Sequence, residues 1–86
     1  MEERLARNIA RLRRRSANVR MDELLRVWAG AGGTFRAPRG GSHYRLYLGG
    51  RVLSVPFRRP VLEVYVRQVL DAITEAFAEG TEEEAP

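Results

Sequence analysis

His43 is the only histidine in the chain, and it follows Gly40-Gly41-Ser42 at the head of an alternating segment, GGSHYRLYLGG. A histidine titrates near neutral pH and can take a proton from a hydroxyl. RNA carries such a hydroxyl beside every phosphodiester. Cutting it needs a base for the ribose 2′-OH, a cation for charge at the phosphorus centre and an acid for the leaving 5′-oxygen, and it needs no metal. Arg36, Arg39 and Arg45 are the candidate cations. Gly40 and Gly41 would let the backbone approach a phosphate, and the Ser42 hydroxyl could orient it. With one histidine, the acid must be water, Tyr44, Tyr47, or His43 itself in a later step. The plainer reading is a solvated strand histidine after an ordinary Gly-Gly-Ser loop.

Composition narrows the partner. The chain has 86 residues, enough for one small domain. Cysteine is absent, which removes disulfides, thiolate nucleophiles and cysteine-based zinc sites. A single histidine is too few for a typical zinc site, so no metal and no cofactor is expected. No apolar run approaches a membrane span, and MEERLARNIARLRRR lacks the apolar centre of a signal peptide. A cytoplasmic protein with no membrane partner is therefore the default expectation. All fifteen basic residues are Arg; every one lies at or before Arg67, against five acids there, and six acids and no base follow. Guanidinium pairs with phosphate through two hydrogen bonds and keeps its charge, so nucleic acid leads the partner classes. Genome composition or heat adaptation also explains a preference for Arg over Lys.

The elements that must position these residues follow from periodicity. Leu5, Ile9 and Leu12 between arginines predict an amphipathic helix from Glu2 to about Arg15, with a short break at Ser16-Ala17-Asn18. Met21, Leu24, Leu25 and Trp28 predict a second, well-buried helix closed by Gly30, Gly32 and Gly33. From Thr34 the period is two. Phe35 and Ala37 share one side of a strand ending at Pro38, and Ser42 to Leu48 puts Tyr44, Leu46 and Leu48 inward as core. Gly49-Gly50 is a hairpin turn, and Arg51 to Pro56 returns. Arg36, His43, Arg45, Tyr47 and Ser54 then share the outer face. After Phe57-Arg58-Arg59-Pro60, Val66, Val69, Leu70, Ile73 and Phe77 predict a last helix, stopped by Gly80 before a disordered acidic tail. The fold class is α+β, with two helices on one face of a three-stranded antiparallel sheet and an extra N-terminal helix.

Three segments in this order, Gly41-Ser42-His43-Tyr44, Arg51-Val52-Leu53-Ser54-Val55-Pro56 and Val64-Tyr65-Val66-Arg67-Gln68-Val69-Leu70, resemble the HicA family of bacterial toxins. The similarity runs from about Val19 to Ile73. It implies a double-stranded-RNA-binding-like α-β-β-β-α fold and a ribosome-independent mRNA interferase whose catalytic residue matches His43. Arg36, Arg39, Gly41, Ser42, Arg45 and Tyr47 would then serve RNA binding. It further implies a HicB-type antitoxin as partner. Two positions depart from the family pattern: Tyr44 stands where many members have a second histidine, and Phe57-Arg58-Arg59-Pro60 carries none. The chain divides into residues 1–18, the Arg-rich helix and linker; 19–79, the HicA-like domain; and 80–86, the acidic tail. The extra helix can add RNA affinity, a homodimer contact or an antitoxin contact. A non-catalytic RNA-binding module of the same fold is the alternative.

Overall fold

Alternation from Thr34 onward gives three short strands, and the 3.6-residue stripes on either side give three helices. The computed structural model describes residues 1–84, and the side chains of residues 1–79. The order is α1 (Glu3–Arg14), α2 (Met21–Gly30), β1 (Thr34–Arg36), β2 (His43–Leu48), β3 (Arg51–Pro56) and α3 (Glu63–Glu84). The strands form one antiparallel sheet in the order β1-β2-β3. The architecture is thus α+β, as the periodicity predicts. At the β2–β3 hairpin Gly49 and Gly50 have φ of 52° and 85°, the left-handed pair that a two-residue turn requires.

The core lies between the inner face of the sheet, where Leu46 and Val55 point, and the stripes of α2 and α3, where Leu24, Trp28, Val66, Leu70 and Ile73 point. A 12-residue helix is marginal alone, so α1 depends on packing. Leu5, Ile9 and Leu12 are buried against α2 and α3 and belong to the same core cluster. Polar ties reinforce the seat. Arg13 pairs with Asp71 on α3 at 2.9 Å, and the buried Ser16 hydroxyl donates to Glu63 at 2.5 Å. That bond, together with the neighbouring Arg67, draws the Glu63 carboxyl below its ordinary range.

At the start of α2, Glu23 accepts from Arg15 and from the Arg20 backbone N–H at 2.9 Å, a carboxylate at the third helical position reaching back to the cap. These contacts, the Arg15 bond foremost, lower its pKa from 4.5 to about 2. A carboxylate so depressed contributes fully above about pH 4.5, and the contribution is lost as the pH falls toward 2. Glu23→Gln should therefore lower stability at pH 7 by about 1 kcal/mol, since solvent screens a half-open pair. The gap between variant and wild type should close as a urea-denaturation series is carried from pH 5 to pH 2. A gap that held constant over that range would remove the charge from the explanation.

Three details depart from the sequence-based expectations. β1 is only three residues long, so Ala37 lies beyond it, and Phe35, expected on a covered side, is 45% exposed. On this edge strand Phe35 rests instead against the Tyr44 ring, 6.3 Å between centroids, with its other side open. Tyr44, expected as core, is half-buried: it packs on the core cluster with one flank toward a groove. Gly80 does not end α3, which passes through it to Glu84; glycine costs a helix about 1 kcal/mol relative to alanine without forbidding it. Of the expected disordered tail, residues 85–86 lie outside the described residues.

Candidate functional site

Two neighbouring surfaces meet at the His43 end of β2. The first is the outer face of the sheet. Register puts Arg36 opposite Arg45 and Arg45 opposite Ser54 in one row, Thr34, Tyr47 and Val52 in the next, and His43 opposite Pro56 at the end. Arg36, His43, Arg45 and Ser54 are exposed, while Tyr47 is half-buried. Six arginines elsewhere are in ion pairs: Arg7, Arg13, Arg15, Arg20, Arg51 and Arg67. Among the described residues Arg36, Arg39, Arg45 and Arg58 have no carboxylate partner; the sequence holds no Asp or Glu from Leu24 to Leu62, and of the arginines in that run only Arg51 pairs with acids elsewhere, Glu75 and Glu79. Two guanidinium groups facing each other across strands repel, and an anion laid over them relieves that repulsion.

His43 heads this face. The Ser42 Oγ lies 3.5 Å from its Nδ1, a contact at the edge of hydrogen-bonding range. No carboxylate orients the ring among the described residues. The backbone just before it is fixed, since the Phe57 N–H donates to the Ser42 carbonyl at 2.6 Å. Arg39, Gly40 and Gly41 are exposed in the loop between β1 and β2. Gly40 has φ of 75°, whereas at Gly41 a Cβ would meet only open space, so the backbone there is approachable. Tyr47 is four residues along the strand from His43, about 13 Å away by strand rise, and Tyr44 is on the opposite face. Neither tyrosine can protonate a leaving group that His43 serves from the other side. The structure therefore brings His43, Ser42 and Arg45 to one strand end, with Tyr47 beside Arg45 but two rows from His43.

The second surface is one the sequence analysis missed. A groove of about 410 Å³ opens behind His43, lined by Asn18, Met21, Leu25, Tyr44, Phe57 and Arg59 among others. Phe35, Tyr44 and Phe57 form a row of rings, with centroid separations of 6.3 and 5.9 Å. Arg59 sits over Phe57, 5.1 Å from its centroid. Register holds the signal: Phe35 pairs with Leu46 and Tyr44 with Val55, so the three aromatics are diagonal neighbours on the inner side.

Among the described residues no group of three or more His, Asp or Glu side chains could hold a metal ion, and no helix is long and apolar enough to cross a membrane. No protein-family model matches the chain, and no curated protein or solved structure matches it either.

Proposed function

We propose that this chain is a metal-independent endoribonuclease of the HicA toxin type, cleaving mRNA in the cytoplasm and held inactive by a HicB-type antitoxin. The observation that carries the reading is an exposed histidine at the end of an arginine row with no carboxylate partner. The α-β-β-β-α order of residues 21–84 is the order that a double-stranded-RNA-binding-like fold requires, and the quoted Gly-Ser-His motif supports the same family. In the reaction, His43 takes the proton of a ribose 2′-OH, and the 2′-oxygen forms a bond to the adjacent phosphorus. The P–O5′ bond breaks, leaving a 2′,3′-cyclic phosphate, and the departing 5′-oxygen takes a proton from water. Arg45 and Arg36 hold the phosphate charge, and Ser42 with the Gly41 backbone positions it.

The test is incubation of a long single-stranded RNA with the purified protein in EDTA, followed by analysis of the ends. Cyclic-phosphate or 3′-phosphate termini are expected; intact RNA would sink the nuclease reading.

That no carboxylate orients the imidazole among the described residues favours a second reading, a module of the same fold that binds RNA without cutting it. Both readings share one prediction. Arg36→Ala with Arg45→Ala should weaken single-stranded RNA binding at least tenfold and reduce the salt slope by about 1.4, or about 0.7 for each lost phosphate contact. Stability should not fall, because the two changes together remove the one cross-strand repulsion between them, worth some tenths of a kcal/mol. Titrations at several salt concentrations with a parallel melt check this, and an unchanged slope would take the phosphate off this face.

A further inference from the structure

The outer face accounts for phosphate but offers little to a base, and the groove behind His43 supplies what that face lacks. Phe57 is 37% exposed and Tyr44 half-buried, so aromatic surface stays open at its rim. The Asn18 side-chain amide, a donor and an acceptor together, has no partner among the described residues. The Arg59 guanidinium rests on Phe57 and forms no ion pair among the described residues, and the one carboxylate lining the groove, Asp22, is held by Arg20 at 3.1 Å. Apolar floor, open ring, one free amide edge and one free cation match the chemistry of a nucleobase joined to a phosphate. A large apolar side chain would satisfy only the floor.

The groove is also placed for it. Successive side chains of β2 point to opposite faces, so His43 on the outer side and Tyr44 in the groove belong to adjacent residues. The short bond from Phe57 N to Ser42 O ties the groove wall to the residue before His43. A strand crossing the end of the sheet would leave one phosphate beside His43 and turn the next base into the groove.

We infer that this groove takes an unpaired base of single-stranded RNA, stacked on Phe57 beside Arg59, next to the phosphate that His43 serves. The inference rests on the reading of the chain as a protein that acts on RNA. It makes Phe57, Tyr44 and Asn18 recognition residues, and it makes the substrate single-stranded at that nucleotide.

The test compares two oligomers of one length, a single-stranded RNA and the same backbone without bases, bound to the full chain. Phe57→Leu keeps apolar bulk and removes the stacking face. It should weaken binding of the base-bearing strand about 10- to 100-fold, leave its salt slope unchanged and leave the abasic strand bound as before. Phe57→Trp should keep the affinity and gain a fluorescence signal that the base-bearing strand quenches and the abasic one does not. Equal loss on both oligomers would overturn the inference, and so would no loss on either, which would hand the groove to a protein partner. Failure of the nuclease reading looks different: the discrimination between oligomers persists while no RNA is cut.

Discussion

His43→Ala should lower the rate of RNA cleavage by about 10²- to 10⁴-fold, the range a positioned general base supplies. RNA affinity should change by no more than about twofold, because the guanidinium groups proposed to hold phosphate remain. The fold should be untouched as well: His43 is exposed, and the one polar contact of its side chain among the described residues is the long one to Ser42, so the change falls in the near-neutral class of surface substitutions. His43→Gln sharpens the point, since it preserves a polar side chain of similar reach that cannot accept a proton. Both variants should be equally inactive. Cleavage by either at the wild-type rate, with the same ends, would remove His43 from the chemistry and leave the strand end as a binding feature only.

The parts of this site that could be read in the sequence are those set by local rules. Alternation alone placed His43, Arg45 and Tyr47 on one face of β2, and the Gly49-Gly50 turn then fixed which residues of β3 stand opposite. That is why Ser54 beside Arg45 follows from the chain. β3 occupies Arg51–Pro56 as expected, since its bounds are a glycine pair and a proline. What escaped depends on contacts between distant segments. Tyr44 has the same inward phase as Leu46, yet Leu46 is fully buried and Tyr44 is not. Tyr44 lines an open groove with Met21 and Leu25 of α2, and periodicity carries no information on where such a groove lies. Val19 and Val61, to which the helical and strand periods assign no place, are buried and joined by a bond from the Val61 N–H to the Val19 carbonyl at 2.9 Å. Phe57 followed a proline in what read as a plain loop, and its role as a groove wall emerges only when that loop folds back on Ser42. The acid-free run from Leu24 to Leu62 was legible throughout. It leaves Arg36 and Arg45 on the outer face without a nearby acid in the chain, whereas Arg51, in the same run, pairs with Glu75 and Glu79 of α3.

The largest effect on stability should come from the contact that seats β1, and through it the outer face. Trp28 is fully buried, and its indole N–H donates to the Thr34 carbonyl at 2.9 Å, just where β1 begins. Gly33 lies against the ring so closely that a Cβ there would stand 2.4 Å from Nε1 and 2.6 Å from Cδ1. The Gly33 N–H bonds the Trp28 carbonyl at 3.0 Å, so neither partner can withdraw without breaking the end of α2. Trp28→Ala should cost about 3–5 kcal/mol, a large fraction of what a domain of this size holds. Gly33→Ala should cost about 1–3 kcal/mol by overpacking. The two should not add. With the indole gone the alanine methyl meets empty space, so Gly33→Ala should cost well under 1 kcal/mol in the Trp28→Ala background. Urea denaturation of the four proteins measures that coupling directly. A glycine cost that stayed the same in both backgrounds would mean that strain in the turn itself, and not the indole, excludes a side chain at position 33. Because Arg36 is two residues beyond Thr34, phosphate binding by the outer face should weaken in step with these losses and recover wherever the fold does.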